Sequence, residues 1–295
     1  MTRVLVTGAH GFIGQHLVRE LEPHYDRVIA IDRQHGDLRE PGIAEHIIGY
    51  ERADVVIHLA AKVGRQFGED DLGATITDNA TMTAHVAQAC GRHNARLVYA
   101  STSEVYGDQG DSLCEEHVSD NRGRIHNLYG LSKRWGEEAA RLYAPDGLTI
   151  LRLSMPYGPG LPWGRGRAAI INMLWQALTL APIPVHRDAE RSWCYVGDTV
   201  RGIRMIVGQA EGGVFNVGRD DNPVSMLHVA ELACDLTGAP VDLIEMVDAP
   251  QNQTVVKRLS TARLRSLGWQ PEVELEQGML LVHDWIVSEA AEVLV

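Results

Sequence analysis

A glycine-rich stretch near the start of the chain, Thr7–Gly14, constrains the fold more strongly than any other feature of the sequence. It follows a short apolar segment, Arg3–Val6, and precedes apolar residues at helical spacing, Leu17 and Leu21. A strand, a glycine turn and a helix in this order are the context in which spaced glycines predict a dinucleotide site. We therefore expect a parallel α/β unit here, with phosphates bound at the helix N-terminus by unpaired N–H groups and the helix dipole.

Each glycine of this stretch has its own predicted role. Gly8 lets the chain turn off the strand, Gly11 lets the backbone approach a pyrophosphate, and Gly14 lets the helix pack close to the sheet. The next strand, Asp26–Asp32, ends in an acid at the position expected to bind a ribose hydroxyl. The alternative, a βαβ turn that binds no ligand, is less favoured in this context.

The acid at the end of that strand also bears on which nicotinamide cofactor is bound. The carboxylate of Asp32 would repel a 2′-phosphate, so the sequence predicts NAD rather than NADP. Arg33 follows immediately and could weaken that preference.

Composition limits the classes of protein to which the chain can belong. With 295 residues, 45% hydrophobic and 22% charged, it suits one large globular domain or two smaller ones. The formal net charge of −12 argues against nucleic-acid and anionic-membrane surfaces. No run is apolar and long enough for a membrane span, and the first strand leaves no room for a signal peptide. The four cysteines have no paired spacing, and we expect free thiols in a cytoplasmic protein without a metal site.

Strands and helices alternate along the first half of the chain, which predicts a doubly wound parallel α/β sheet of the Rossmann type. Further strands are expected at Asp54–Leu59, Arg96–Ala100, Leu148–Leu153 and Val214–Gly218, and helices at Asn79–Cys90 and Asn127–Tyr143. The crossover between Asp32 and Glu51 is expected to be a loop, because a helix does not fit before Asp37. His58 is expected to be a core residue rather than a catalyst.

The second half of the chain has clustered prolines and glycines and does not repeat the first half. This change predicts a smaller substrate-binding part that is partly interwoven with the sheet. We expect an NAD-binding domain at residues 1–155, with a return segment at about 192–217. Residues 156–191 and 218–295 are expected to form the substrate-binding domain.

Tyr129 and Lys133, four residues apart on one predicted helix face, form a candidate catalytic pair. The ammonium would lower the pKa of the phenol, and the phenolate could take a proton from a substrate alcohol while hydride leaves its carbon. An exposed helix pair would have the same spacing. The pair gains weight from Ser101–Gly107, whose polar side chains follow a predicted parallel strand, where such sheets bind ligands. Thr102 could bind the same substrate oxygen and Glu104 could act as a second base, although a capped, solvated turn is the alternative.

Several features together resemble the extended short-chain dehydrogenase/reductases, the group of NAD-dependent epimerases and dehydratases that act on nucleotide sugars. These features are Thr7–Gly14, Asp32, Thr102, Tyr129 with Lys133, Tyr157-Gly158-Pro159 and Leu267–Pro271. The resemblance covers nearly the whole chain. It implies a Rossmann domain that holds NAD tightly, a small C-terminal substrate domain, and a homodimer formed through the helices near residues 79–92 and 128–144.

The resemblance also implies a reaction class. In this group the sugar is oxidised at C4, and the 4-keto sugar is then re-reduced on its other face, dehydrated, or decarboxylated when C6 is a carboxylate. Thr102, Tyr129 and Lys133 correspond to the shared oxidation set. The segment Ala100–Gly107, with Ser103 and Glu104, looks most like the corresponding segment of UDP-glucuronate decarboxylases and GDP-mannose-type dehydratases. Glucose-type dehydratases have an acid in place of Ser103, which counts against that subclass.

The expected cofactor contacts follow from the glycine turn and from the resemblance. They are Gly8, Gly11, Phe12, Ile13, Gly14, Asp32, Arg33, Asp37, Leu38, Leu59, Ala60, Ala61, Asn79, Tyr129 and Lys133. Arg191 is expected to bind a phosphate or a sugar carboxylate, the alternative being a surface arginine paired with Glu190 or Asp188.

Two positions on the substrate side depart from the family pattern. Met155 replaces an asparagine that holds the sugar-side phosphates, and Ala249–Asn252 replaces the customary Arg-Pro-Gly-Asp. Arg258 or Lys257 could compensate for the lost arginine. The departures leave open a second hypothesis, an NAD-dependent dehydrogenase or reductase of a non-nucleotide sugar acid or alcohol.

Overall fold

A six-stranded parallel sheet with apolar cores on both faces forms the centre of the molecule and confirms the predicted fold class. The structure is a computed structural model, and it describes residues 2–63, 72–109, 112–116, 123–144, 146–161, 169–209, 211–221, 223–248 and 258–293. The strands are β1 (Arg3–Thr7), β2 (Arg27–Ile31), β3 (Val55–His58), β4 (Arg96–Thr102), β5 (Leu113–Cys114), β6 (Thr149–Leu153), β7 (Pro156–Tyr157), β8 (Ile183–His186), β9 (Glu190–Arg191), β10 (Cys194–Tyr195), β11 (Gly213–Val217), β12 (Val224–Ser225), β13 (Ile244–Val247) and β14 (Arg258–Leu259). The helices are α1 (Phe12–Leu21), α2 (Ile43–Glu51), α3 (Leu72–His93), α4 (Leu128–Tyr143), α5 (Ala169–Leu178), α6 (Val196–Gln209), α7 (Met226–Thr237), α8 (Ala262–Arg265) and α9 (Leu275–Val293).

The strand order of the large sheet places a ligand site at the carboxyl ends of β1 and β3. The order is β11-β6-β4-β3-β1-β2, with every pair parallel, so the direction of winding reverses between β1 and β3. Thr7 and His58 are in register at the ends of these two strands. Open α/β sheets bind ligands in the crevice at such a reversal.

Side chains of β1 alternate between two apolar cores, one on each face of the sheet. Val4 and Val6 belong to the core under α1 and α6, whereas Leu5 belongs to the core under α2, α3 and α4. Because both faces are covered, the strand is apolar throughout rather than alternating with polar residues. All four cysteines are buried and free.

The crossover after Asp32 contains a helix, so the prediction of a loop as far as Glu51 was wrong. Helix α2 begins after Gly42, whose φ of 84° is in the left-handed region. Ala44 and Ile48, four residues apart, bury the inner face of the helix against the sheet. The prediction considered only the residues before Asp37 and missed this short apolar repeat.

A third apolar core lies under α5, α7 and α9, in the second half of the chain. Ser225 caps the first turn of helix α7, and Gly238 ends the helix in the left-handed conformation. The buried Trp269 connects this half to α6, because its indole N–H donates to the carbonyl of Asp198 at 3.0 Å. Within the described residues we find no helix that combines the length and the apolar character needed to cross a membrane.

Candidate active site

The glycine turn between β1 and α1 has no room for side chains at its first and last glycines. Gly8 has a φ of 69°, and a Cβ there would lie 2.8 Å from the backbone nitrogen of Ala60. A Cβ at Gly14 would lie 2.2 Å from the carbonyl oxygen of Gly8. The first residues of α1, Phe12 and Ile13, pack against the apolar core of that face. The bare turn at the point of strand reversal therefore fits the pyrophosphate of a dinucleotide.

The carboxylate of Asp32 is held at the entrance of this turn. It accepts the backbone N–H of His10 at 3.0 Å and that of Arg33 at 2.7 Å. The Asp32 side chain keeps 29% of its surface exposed, so a ribose hydroxyl can still reach it. The side chain of Arg33 is 77% exposed and lies 3.8 Å from Asp37.

The other expected cofactor residues surround the ends of β2 and β3. Asp37 pairs with Arg39, with oxygen–nitrogen distances of 2.9 and 3.0 Å, and Leu38 is buried in an apolar core. Leu59, Ala60 and Ala61 follow β3 and are partly buried.

Asn79 is buried and joins the segment after β3 to helix α4. Its Oδ1 accepts the N–H of Lys62 at 2.8 Å, and its amide group donates to the Lys62 carbonyl at 3.1 Å. The same amide donates to the hydroxyl of Ser132 at 3.0 Å. The protein therefore uses this side chain to align two parts of the site.

His58 is fully buried, as predicted, and lies in a hydrogen-bonded chain between the two ends of the site. Its Nδ1 is 2.7 Å from the hydroxyl of Thr7, and its Nε2 is 3.4 Å from the hydroxyl of Thr83, which donates to the Asn79 carbonyl. We assign the neutral Nε2–H tautomer, since the Thr83 hydrogen is already used. Burial, and to a smaller extent the charge of Lys133, lowers the pKa of His58 to about 3.

Thr102 and Tyr129 meet at the carboxyl end of β4, as the sequence predicted. Burial and then the charge of Glu104 raise the pKa of Tyr129, whereas a hydrogen bond from Thr102 lowers it. The lowering of this pKa by Lys133 stays a prediction for the site with its cofactor bound, and in the protein alone the net shift is upward. Burial of the phenol raises its pKa by more than the interaction with Thr102 lowers it.

Lys133 is buried one helical turn beyond Tyr129, and its Nζ lies 4.7 Å from the centroid of the Tyr99 ring. Burial lowers the pKa of Lys133 to about 7, and the negative charge of Glu137 opposes that shift. The ammonium thus loses much of its charge near neutral pH when no further anion is present.

The two polar residues after Thr102 have different surroundings. The hydroxyl of Ser103 donates to that of Ser154 at 3.3 Å and is buried. Glu104 is partly buried, and its Oε2 accepts the side-chain amide of Asn127 at 2.8 Å. The two residues belong to a short 3₁₀-helix that is capped by Thr102, whose hydroxyl accepts the N–H of Glu104. The segment is thus a capped turn, and it also brings Glu104 close to Tyr129.

A buried ion pair that joins helix α4 to strand β6 was not predicted from the sequence. Arg152 and Glu137 are both fully buried and form two hydrogen bonds, of 2.9 and 2.7 Å. The hydroxyl of Ser101 also donates to Glu137 at 2.7 Å. The available signals were an arginine inside an apolar strand and an acid four residues after Lys133.

The expected substrate residues occupy three separate places. Arg191 is buried rather than on the surface, and its guanidinium donates to the carbonyl of Glu190 at 2.7 Å. Met155 is partly buried, and its φ of 46° is in the left-handed region, which asparagine adopts more readily than methionine. Arg258 is exposed at β14. Residues 249–252 and Lys257 lie outside the described residues.

Comparison with known families decides the class of the protein. Residues 4–218 match the family model described as the NAD dependent epimerase/dehydratase family. The chain belongs to this family. The predictions of the family, of an enzyme and of NAD as the cofactor are thereby confirmed.

Individual relatives of this epimerase/dehydratase family member span nearly its whole length. UDP-glucuronic acid decarboxylase 5 of Arabidopsis thaliana is 27% identical over 96% of this chain and 88% of its own. The structure of MoeE5 in complex with UDP-glucuronic acid and NAD is 27% identical, with a TM-score of 0.85 over 97% of this chain and 99% of MoeE5. The UDP-glucose 4-epimerase of Thermus thermophilus is 24% identical, also with a TM-score of 0.85 over 97% of this chain and 99% of its own, and it supports the fold.

Proposed function

We propose that this protein oxidises C4 of a nucleotide sugar as the first step of an epimerisation, dehydration or decarboxylation. The observation that carries the proposal is the placement of Thr102 beside Tyr129 at the carboxyl end of β4, where its side chain lowers the pKa of the phenol, with Lys133 buried one turn further along α4. An alcohol, a phenol and an amine held together in this way can remove a proton from a substrate hydroxyl.

In this proposal the glycine turn binds the cofactor pyrophosphate and Asp32 binds the adenosine ribose. When bound, NAD supplies the acceptor for the hydrogen and the electron pair that leave C4. Tyr129 first gives up its own proton, for which the uncharged Lys133 amine is the acceptor. The Oη atom of the resulting phenolate takes the proton of the C4 hydroxyl, and the Thr102 hydroxyl turns from Tyr129 to donate to the C4 oxygen while the carbonyl forms. Lys133 would regain its full positive charge beside the phenolate, because an adjacent anion favours the ammonium.

Among the later steps, we propose decarboxylation of a 4-keto uronate as the first to test. A ketone at C4 makes the C6 carboxylate a β-keto acid, so the C5–C6 bond can break with its electron pair moving to the C4 oxygen. Tyr129 and Thr102 face that oxygen and would hold its charge. Ser103 donates to Ser154 and supplies no acid for the loss of a C6 hydroxyl. The relatives that are UDP-glucuronic acid decarboxylases, at 27–29% identity, support the same choice.

Arg191 is the proposed anchor for a sugar phosphate or carboxylate. Its guanidinium is buried in the second half of the chain, where an anion would face little competition from water. Arg258, which is exposed, is a proposed second phosphate contact.

We propose that residues 1–155 with about 192–217 bind NAD, and that 156–191 and 218–295 bind the substrate. The third apolar core, which joins residues of α5, α7 and α9, supports this division.

The test is a product analysis by mass spectrometry with NADH absorbance followed in parallel. Purified protein is incubated with UDP-glucuronate, UDP-glucose, dTDP-glucose or GDP-mannose, and the Tyr129→Phe variant is the matched control. Loss of CO₂, loss of water, or a new isomer, each without net NADH and each absent in the variant, supports the proposal. If no member of the panel changes, the proposal is wrong.

A second candidate is an NAD-dependent dehydrogenase of a non-nucleotide sugar acid or alcohol. The observation that favours it is Met155, which places a thioether where the resemblance leads us to expect a phosphate-binding amide. This candidate predicts net NADH formation from free uronates or polyols and no reaction with the nucleotide-sugar panel.

We further propose a cytoplasmic homodimer formed through α3 and α4. Trp135 and Leu142 lie seven residues apart along α4 and are 48% and 70% exposed, a large apolar area for a free helix. The four buried, free thiols are compatible with a reducing compartment. Sedimentation velocity of the wild type and of Leu142→Glu tests the assembly, because a charge at the interface should convert a dimer to a monomer.

A further inference from the structure

The side chain of Asn127 lies between Glu104 and the start of the helix that carries Tyr129. Its Oδ1 accepts the N–H of Gly130 at 2.8 Å and so caps helix α4. Its amide nitrogen donates to Oε2 of Glu104 at 2.8 Å. Asn127 is 8% exposed, so water competes little with either bond.

The backbone around this contact is closely packed. A Cβ at Gly130 would lie 3.1 Å from the Cβ of Glu104 and 3.2 Å from its carbonyl oxygen. The 3₁₀-helix of Glu104 and the first turn of α4 therefore touch directly beside Tyr129. On its other side, Glu104 donates its own N–H to the hydroxyl of Thr102 at 3.3 Å. Both ends of Glu104 are thus tied to neighbours of Tyr129.

We propose that Asn127 is a positioning residue that holds the Glu104 carboxylate beside Tyr129, so that the second base and the primary proton acceptor keep one geometry through the reaction. This inference rests on the proposed function, because it assigns Glu104 the proton transfer at C5 that follows C4 oxidation. In a dehydration or a C5 epimerisation the side chain takes the C5 proton, and in a decarboxylation it returns a proton to C5 after CO₂ leaves. Capping alone does not require asparagine, since serine and aspartate cap helices about as well. The amide N–H group is what distinguishes asparagine from them, and here it binds the carboxylate.

Two substitutions separate the capping role from the positioning role. Asn127→Ser keeps a cap oxygen and removes the amide donor. Asn127→Asp also keeps a cap oxygen but places a second carboxylate against Glu104. A purely structural Asn127 predicts near wild-type activity in both variants. The positioning role predicts about a tenfold lower kcat in Asn127→Ser with little change in KM, and a larger loss in Asn127→Asp.

The decisive experiment is a double-mutant cycle of Asn127→Ser and Glu104→Ala, measured in two ways. Urea unfolding without cofactor or substrate measures the contact itself. The losses of stability in the two single variants should add up to more than the loss in the double variant. The difference should correspond to about a tenfold coupling in the unfolding equilibrium constant, as expected for a hydrogen bond to a charged group. Turnover measures the consequence: Asn127→Ser should cause no further loss once Glu104 is alanine.

The outcomes distinguish the inference from the proposed function. Coupling in both measurements supports the inference. Additive losses in unfolding, or full activity of Asn127→Ser, would overturn it. A third result is also informative: the unfolding measurements show coupling between Asn127 and Glu104, but the wild type reacts with no member of the nucleotide-sugar panel. That result would contradict the proposed function, and with it the assignment of a proton transfer to Glu104.

Discussion

The Nζ atom of Lys133 lies 4.7 Å from the centroid of the Tyr99 ring, in a site from which water is largely excluded. The ring face attracts the ammonium, and Glu137 four residues later does the same, yet burial still lowers the pKa of Lys133 to about 7. The protein therefore holds an amine that changes its charge close to neutral pH. Its full charge would return when an anion forms beside it.

The first prediction concerns the titration of Lys133. The chain has lysines at positions 62, 133 and 257, so NMR of ¹³C-labelled lysine can follow each ammonium, and Lys133→Met identifies the signal. We expect a midpoint near 7 for Lys133 in the cofactor-free protein. A midpoint near the ordinary lysine value would show that the site admits water and would contradict this prediction.

The same shift predicts how stability depends on pH. Between about pH 7 and 10.5 the unfolded chain holds a proton on this amine and the folded chain does not. The free energy of unfolding should therefore gain up to about 1.4 kcal/mol per pH unit as the pH rises through this window. Below pH 7 both states are protonated and the contribution is constant. Lys133→Met should remove the slope, raise stability at neutral pH and abolish activity.

The second prediction concerns the hydroxyl of Thr102. It donates to Tyr129 and accepts the N–H of Glu104, so Thr102→Val loses both bonds whereas Thr102→Ser can keep them. We expect kcat to fall about 100-fold in Thr102→Val and only a few-fold in Thr102→Ser. Because the interaction with Thr102 lowers the pKa of Tyr129, the rise of activity with pH that reports formation of the phenolate should move to higher pH in the valine variant. Equal kcat in the two variants would argue against a role for the hydroxyl.

The fold was largely predictable because local patterns determine it. The glycine turn after β1 and the apolar strand before it are adjacent in sequence, and their geometry follows from sterics alone. The helix limits at Ser225 and Gly238 were also predictable, since capping depends on the residue at the end of the helix. Helix α2 was missed because it is short and carries only two buried apolar residues, Ala44 and Ile48, beyond the stretch before Asp37 that the prediction considered.

The interior of the site was less predictable because its contacts join residues far apart in the chain. The Asn79 amide binds Ser132, and Arg152 binds Glu137 across two elements of the fold. The residue types at these positions are compatible with many other partners. The rise in the pKa of Tyr129 could not be predicted for the same reason, since the amount of water removed from a phenol depends on the packing of the whole site.

The third prediction is a loss of stability in mild acid that depends on His58. Its folded-state pKa of about 3 is below the ordinary value of 6.5. Between these values the unfolded chain binds a proton at this position and the folded chain does not. Stability should therefore be complete above about pH 6.5 and fall by up to about 1.4 kcal/mol per unit as the pH decreases toward 3.

Two replacements by uncharged amides test this linkage. His58→Asn keeps an acceptor for the hydroxyl of Thr7, and His58→Gln keeps a donor for that of Thr83. In urea unfolding between about pH 4 and 6, the free energy of unfolding of both variants should rise less steeply with pH than that of the wild type. The difference in slope should correspond to about one proton. An unchanged slope in both would mean that other groups cause the acid sensitivity.

The fourth prediction concerns the close contact between α1 and the glycine turn. An added methyl at Gly14 would lie 2.2 Å from the carbonyl oxygen of Gly8 and 2.8 Å from the backbone of Ala9. Backbone atoms cannot rotate away as a side chain can, so α1 must move. We expect Gly14→Ala to lower the free energy of unfolding by about 1–3 kcal/mol.

A matched control for that substitution is Gly73→Ala in helix α3, because a Cβ at Gly73 would meet no atom of the described residues within 4 Å. Alanine there should stabilise the protein by up to about 1 kcal/mol, since glycine is the poorer helix residue. The two variants should also differ in the rise of melting temperature on adding NAD. Because the turn would bind the pyrophosphate, displacement of α1 should reduce that rise in Gly14→Ala and leave it unchanged in Gly73→Ala. An equal rise in both variants would show that NAD binding does not depend on the close approach of α1 to the sheet.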